Sequence, residues 1–302
     1  MDIKTVIVFG ATGAQGRPQI REALEQGYKV RAVSRDPQRL AEEAKLGAEI
    51  VEADYSDMAS LNAALKGVDA VLFQAPAMGD IPRLVQQCMN LAAAVEQAKI
   101  KLFVLNSSMF APNEPIGEPA SDGVLGMEEL FRSYGFPVVT FRPTLFMNNL
   151  LGDWIKPELQ KGVYRYAHKP DLQADWICLE DVAKFMVAAL SRPDLVGKKI
   201  HLGGPERLKP ADVIKILSDA MGKPIRYEYL TPRQFAEVFW NMWGTEVTGS
   251  SRDEFIDRFA AFYTFNNDSP LKPFQTDVPA LLKQIPVKLT DMRTWAKQQN
   301  WG

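Results

Sequence analysis

Three glycines spaced three apart, Gly10, Gly13 and Gly16, follow directly on the apolar run Val6-Ile7-Val8-Phe9, with Ala11, Thr12, Ala14 and Gln15 between them. The pattern predicts a strand, a tight turn and the first turn of a helix. Such a turn lets backbone N–H groups approach a pyrophosphate, and the helix that follows points the positive end of its dipole at the same charge. Glycines at this spacing also occur in ordinary turns. Here the turn follows a strand, opens a helix and is followed at the expected distance by the end of a second strand, so it reads as a dinucleotide site.

The end of that second strand selects between cofactors. An acid there accepts hydrogen bonds from the adenosine ribose hydroxyls, whereas an arginine pairs with a 2'-phosphate. The strand ends in Ser34 and Arg35, and Arg39 lies one helical turn further on. Asp36 is the rival acid, but Asp36-Pro37 is better explained as a helix start, with Asp36 as N-cap and Pro37 at the first helical position. The plainer reading of the two arginines is a solvated helix start; the pattern favours NADP over NAD.

Three further loops lie on the same edge. Asp54, in Ala53-Asp54-Tyr55-Ser56-Asp57, is placed to accept from an adenine amine, while Asp57 suits the cap of the next helix. Gln74-Ala75-Pro76 and Asn106-Ser107-Ser108 follow the fourth and fifth strands, where open α/β sheets bind their ligands. Ser107 and Ser108 admit two readings: a turn that satisfies its own backbone, or hydroxyls beside a nicotinamide, with Ser107 a candidate proton donor and Ser108 facing the substrate.

These loops need a sheet to hold them. Strand-like runs at 29–34, 48–52, 70–73, 102–105 and 138–141 alternate with helical patterns, among them 81–98, where Ile81, Leu84, Val85, Cys88, Leu91, Ala92 and Val95 form one stripe. That rhythm implies a parallel sheet covered on both faces, the doubly wound α/β Rossmann class. Residues 1–150 are expected to form the NADP-binding domain, with 175–204, a helix over 177–190 and a strand over 199–202, returning to it. The smaller α/β substrate region, 151–302, is expected to hold helices at 211–221 and 233–243, a strand at 225–229 and a loop at 244–251.

Composition excludes several functions. At 302 residues and 46% hydrophobic the chain folds around a sizeable core, and a formal net charge of -2 leaves no basic excess for nucleic acid or anionic lipid. Cys88 and Cys178 form no C-x-x-C, and the first apolar run stops at Gly10, too short for a signal peptide. No stretch reaches the roughly 18 apolar residues of a membrane span. A cytoplasmic protein is expected. With two histidines, no H-E-x-x-H and no G-x-S-x-G, neither a metal centre nor a serine hydrolase is indicated.

The glycine turn, the segment 30–36, Asp122-Gly123-Val124-Leu125-Gly126-Met127-Glu128-Glu129, Phe141-Arg142-Pro143-Thr144-Leu145-Phe146-Met147-Asn148-Asn149, Leu179-Glu180-Asp181-Val182-Ala183 and Leu202-Gly203-Gly204-Pro205-Glu206 together resemble the NmrA-like branch of the atypical short-chain dehydrogenase/reductases, over about residues 4–230. The resemblance implies NADPH with Gly10, Thr12, Gly13, Gln15 and Gly16 around its pyrophosphate and Arg35 at the 2'-phosphate. It also implies Pro143, Thr144 and Phe146 near the nicotinamide or substrate, with Asn148 in the same motif. Similar proteins include quinone and enone reductases and redox sensors that bind NADP without turning it over.

One departure bears on chemistry. Redox-active relatives commonly carry a lysine where this chain has Val124, and no tyrosine here has a lysine four residues later, so the usual Tyr-Lys acid pair is absent. What remains is hydride transfer to a small molecule that is already electrophilic, a quinone, conjugated enone or imine, or else a non-catalytic NADP sensor acting through a protein partner. Tyr164, with His168 at the same spacing, is the substitute acid to weigh against a surface-loop histidine. Among the aromatics of 235–265, Trp240 and Trp243 are the candidates to roof a pocket for a planar, apolar substrate, the others being core.

Overall fold

The computed structural model describes residues 1–74 and 80–302; Ala75 and Pro76, expected at the cofactor edge, lie outside the described residues. In β1 (Thr5–Val8) the side chains alternate, so that Val6 and Val8 face one way and Ile7 and the following Phe9 the other. All four are fully buried, which requires cover on both faces of the sheet.

The remaining strands are β2 (Lys29–Ser34), β3 (Glu49–Glu52), β4 (Ala70–Gln74), β5 (Leu102–Asn106), β6 (Val138–Pro143), β7 (Val163–Tyr166), β8 (Ala174–Asp175), β9 (Lys199–Leu202), β10 (Arg207–Leu208) and β11 (Arg226–Tyr229). Seven of them make one parallel sheet in the order β3-β2-β1-β4-β5-β6-β9. The order reverses between β1 and β4, so a crevice opens at their carboxyl ends. The doubly wound α/β class is the one read from the sequence.

The helices are α1 (Gly16–Glu25), α2 (Ala41–Lys45), α3 (Met58–Leu65), α4 (Ile81–Gln97), α5 (Pro119–Ser133), α6 (Lys156–Gln160), α7 (Leu179–Ala188), α8 (Pro210–Met221), α9 (Pro232–Thr248), α10 (Arg252–Asp268), α11 (Val278–Gln284) and α12 (Met292–Gln298). One face of the sheet packs on α1 and α7, through Val8, Ile20, Val104, Phe141 and Phe185. The other packs on α3, α4 and α5 through Phe73, Leu91, Phe103 and Phe131, with Phe103 and Phe131 stacked at 4.7 Å. A third cluster lies in the C-terminal region, where β7 pairs with β11 and α9 packs on α10.

Two expectations fail. The run 244–251 is not a loop: α9 continues through Gly244, kinked at φ 58° and ψ -168°, and stops at Thr248, while Ser251 caps α10. The helix expected at Pro37 begins as a single 3-10 turn, Pro37–Leu40, before α2. In helix α10 Phe255, Ile256, Phe259, Phe262 and Tyr263 form one stripe at helical spacing, packed into the C-terminal cluster.

Candidate functional site

The glycine turn sits at the switch point and is braced from below. Gly10 has φ +71°, and a Cβ there would lie 2.2 Å from Gln74 Nε2. That amide instead donates to Gly10 O at 3.0 Å, and Gln19 Nε2, fully buried in α1, donates to Gln74 Oε1 at 2.9 Å. A Cβ on Gly16 would lie 2.3 Å from Gly10 O and 2.7 Å from Ala11 Cα. Gly16 is therefore required by contact with the main chain, and Gly10 by its left-handed backbone. Gln15 provides no side-chain cap to α1, and the amides of Thr12, Ala14 and Gln15 find no acceptor among the described residues. Open N–H groups at a helix N-terminus fit a pyrophosphate.

Beside the turn lies a cleft of about 420 Å³ lined by Gly10, Thr12, Ser34, Arg35, Arg39 and Tyr55, among others. The Ser34 hydroxyl closes a local turn, donating to Asp36 O at 2.8 Å and accepting from Asp36 N at 3.0 Å. The Asp36 carboxylate caps the 3-10 turn through Gln38 N at 3.1 Å. That acid is thus occupied. Arg35 is 71% exposed, and its guanidinium is 4.0 Å from Asp54. Asp54 accepts from Ser56 N at 2.7 Å, and Asp57 caps α3 through Ala59 N. A larger groove of about 600 Å³ runs along β9 and α11, but it has neither the glycine turn nor the arginines.

At the end of β5, Asn106 Nδ2 donates to Gln15 Oε1 at 2.7 Å, Gln15 Nε2 donates to Ser108 Oγ at 3.1 Å, and Ser108 N donates to Asn106 Oδ1 at 2.8 Å. Ser108 has φ +63°. Ser107 is buried, and its hydroxyl lies 2.6 Å from Met109 O and 3.0 Å from Phe141 O. Its single proton is held by these carbonyls, which removes it as a ready donor.

The end of β6 is built around a charge pair. Arg142 donates from Nε and Nη2 to the two oxygens of Glu128 at 2.9 and 2.6 Å, and from Nη1 to Asn113 at 3.1 Å; the side chains of the pair are fully buried. Pro143 ends the strand, and Thr144 Oγ1 donates to Asp175 O. Phe146 packs into the sheet core and bridges to Ile177, while Asn148 Oδ1 accepts from Leu179 N at 3.0 Å and so caps α7. Val124 is half-buried in α5.

Tyr164 is not at this edge. It lies in β7, fully buried, stacked 5.7 Å from Tyr166, with a hydroxyl that has no partner among the described residues. Burial pushes its pKa well above the usual tyrosine value, so it holds its proton rather than lending it. His168 is no surface histidine: its ring stacks on Tyr166 at 3.8 Å and burial pulls its pKa down to about 3. Trp243 packs on Phe239 at 4.5 Å and Trp240 on Phe255 at 5.9 Å, both half-buried. The thiols are no alternative, because burial raises Cys88 to about 11 and Cys178 to about 12.

The structure therefore brings the glycine turn, Ser34, Arg35, Arg39, Gln74 and Ser108 to one edge and leaves Tyr164 apart from it. Sequence reading missed Gln19, Glu43 and the buried role of Arg142. The one available signal was Arg142 itself, a charge inside the apolar strand Val138–Pro143.

The chain is 29% identical over 252 residues to the NAD(P)H azoreductase of Xenophilus azovorans, covering 82% of this chain and 85% of that one. It is 33% identical over 228 residues to a (4-alkanoyl-5-oxo-2,5-dihydrofuran-3-yl)methyl phosphate reductase of Streptomyces griseus, covering 74% and 77%. The fold matches that of the Citrobacter sp. triphenylmethane reductase complexed with NADP(H), at TM-score 0.77 and 20% identity over 98% of this chain and 99% of that one. With a family model matching residues 2–296, the chain belongs to the NmrA-like family.

Proposed function

We propose that this protein is an NADPH-dependent reductase that passes hydride to an electrophilic, planar small molecule such as a quinone, a conjugated enone or an imine. The observation that carries the reading is the pairing of the glycine cradle with Arg35 and Arg39 at the end of β2, where the one competing acid, Asp36, is spent on a helix cap. Thr12, Gly13, Ala14, Gln15 and Gly16 would take the pyrophosphate, Arg35 and Arg39 the 2'-phosphate, and Asp54 and Gln74 would flank the adenine side and the turn. The names of the two sequence relatives, both reductases, support the same class.

The bound nucleotide would supply the hydride. Ser108, Pro143, Thr144 and Phe146 would border the place where acceptor and nicotinamide meet. Ser107, turned to two carbonyls, and Tyr164, buried away from this edge, are not placed to protonate the acceptor, so the acceptor would take up hydride without prior protonation and gain its proton from water. That requirement selects acceptors polarised in themselves. The unit 1–150 with 175–204 would hold the cofactor, and the rest of 151–302 would enclose the acceptor beneath Trp240 and Trp243. A second reading, an NADP sensor that reports to a protein partner, is favoured by Val124 in place of lysine.

Titration of NADPH, NADP, NADH and NAD by tryptophan fluorescence, followed by NADPH oxidation with quinones, enones, imines and aldehydes, tests both. The reductase reading expects tight NADPH binding and turnover on an acceptor of the first three classes, with Arg35→Ala weakening NADPH about tenfold more than NADH. Equal affinity for NADPH and NADH sinks the role of Arg35. Tight NADPH binding without turnover on any acceptor turns the reading to the sensor.

A further inference from the structure

We propose that Arg17 and Glu43, which lie outside the glycine fingerprint, form a clamp that positions the 2'-phosphate end of the cleft. The proposal rests on the NADP reading above and adds a specificity device to it. Arg17 is the second residue of α1, immediately after the turn, and Glu43 lies in α2. Arg17 Nη1 donates to Glu43 Oε1 at 2.5 Å, and Arg17 Nη2 donates to the carbonyl of Arg39 at 2.9 Å. One guanidinium therefore joins the phosphate-binding helix, the main chain of a cleft-lining arginine and the helix behind it.

Several features separate this pair from an ordinary surface ion pair. The Glu43 side chain is fully buried, and its second oxygen has no partner among the described residues. A buried carboxylate with one oxygen uncompensated is costly to keep. Its position against the 3-10 turn Pro37–Leu40 gives that cost a use, because the turn carries Arg39 into the cleft. Arg35 lacks any such support, being 71% exposed with Asp54 at 4.0 Å. Of the two arginines, Arg39 has its main-chain carbonyl tied to Arg17, and Arg35 has an exposed guanidinium with no such tie. A phosphate dianion gains most from donors already in place, and a planar fork holds two acceptors at once where a lysine holds a point. Losing the clamp frees the turn, so Arg39 meets the 2'-phosphate in many geometries instead of one.

Isothermal titration with 2',5'-ADP and 5'-AMP reads this without any hydride chemistry. The unaltered protein is expected to bind 2',5'-ADP at least tenfold more tightly than 5'-AMP. Glu43→Gln, which preserves shape and removes the charge, is expected to cut that ratio at least fivefold while leaving 5'-AMP within twofold. Arg17→Lys, which keeps the charge and loses the fork, is expected to do the same, and it carries the test should Glu43→Gln not fold. A ratio that survives either folded variant overturns the clamp, as does equal weakening of both nucleotides. A wild-type protein that does not prefer 2',5'-ADP overturns the cofactor reading, and the clamp with it, a result distinct from a preference that outlasts the substitutions.

Discussion

Gln15 Nε2 donates to Ser108 Oγ at 3.1 Å across the switch point, so the residue that precedes α1 is tied to the end of β5. The same side-chain amide accepts from the fully buried Asn106 at 2.7 Å. Ser108 holds a left-handed backbone, a conformation that costs a residue with a Cβ roughly 1–2 kcal/mol. The network that fixes it holds its hydroxyl against the Gln15 amide, whereas the Ser107 hydroxyl turns inward to two carbonyls.

Replacement of Gln15 separates holding the edge from holding the nucleotide. Gln15→Ala strands the buried Asn106 amide and is expected to cost about 1–2 kcal/mol of stability, with a several-fold loss of NADPH affinity. Gln15→Glu keeps an acceptor for Asn106 and for the Ser108 hydroxyl, so its thermal midpoint should stay close to wild type. If the turn holds the pyrophosphate as proposed, the added negative charge should lower NADPH affinity at least tenfold by repulsion. Melting curves with parallel NADPH titrations check the contrast; the reverse pattern would remove Gln15 from the cofactor edge.

The two bracing glycines are predicted to differ. In Gly16→Ala the new methyl meets Gly10 O and Ala11 Cα, main-chain atoms that cannot yield, so both stability and NADPH binding should collapse. In Gly10→Ala the nearest atom belongs to the flexible Gln74 side chain, although φ +71° still strains the alanine. That protein should fold, with a loss of about 1–3 kcal/mol and NADPH binding weakened through the displaced Gln74. Chemical denaturation of the two variants, each with and without NADPH, distinguishes them.

The fold was readable because a parallel sheet needs long apolar strands at regular intervals, and β1, β4, β5 and β6 fall within a residue or so of the expected runs. The C-terminal region was readable only in part: α8, β11 and the first turns of α9 fall on the expected runs, and α10, α11 and α12 were not found. The two-residue strands β8 and β10 carry no pattern at all, whereas α10 went unread although Phe255, Ile256, Phe259, Phe262 and Tyr263 form one stripe at helical spacing. At the site, the residues at the strand ends were found, whereas the side chains that support them were not. Gln19 meets Gln74 across 55 positions and Arg17 meets Glu43 across 26, and local periodicity holds no record of such contacts. Tyr164 stands out in the sequence by its spacing to His168, but β7 turns Tyr164 into an aromatic core, where Tyr166 stacks on both rings.

Glu128 and Arg142 give a sharper stability test. The pair is fully buried and bidentate, with Lys199 Nζ 3.7 Å from Glu128. Glu128→Ala leaves a guanidinium without its counter-charge and is expected to destabilise by about 3–5 kcal/mol. Adding Arg142→Met should recover part of that loss, because no buried charge is then left unpaired, while the cavity at position 128 remains. Urea denaturation of the two single variants and the double variant reads the coupling. Simple additivity of the single effects would show that Arg142 is held by something other than Glu128.

Acid stability should depend on the two histidines, His168 buried and His201 half-buried. Burial lowers His168 to about 3, and burial with the neighbouring Arg142 lowers His201 to about 4. In the unfolded chain a histidine titrates at about pH 6.5. The folded state therefore refuses a proton that the unfolded state accepts: stability is fully present above about pH 6.5 and is lost as pH falls towards the folded values. At about pH 5 each histidine should have withdrawn about 2 kcal/mol, since every tenfold difference in proton affinity between the two states is worth about 1.4 kcal/mol. His168→Phe keeps the stack on Tyr166 and removes a ring nitrogen that has no partner among the described residues. The variant should match or exceed wild-type stability at pH 7.5 and lose about half as much on transfer to pH 5. Denaturation midpoints at the two pH values decide it, and an equal loss in both proteins would mean that His168 is protonated in the folded state and reached by water.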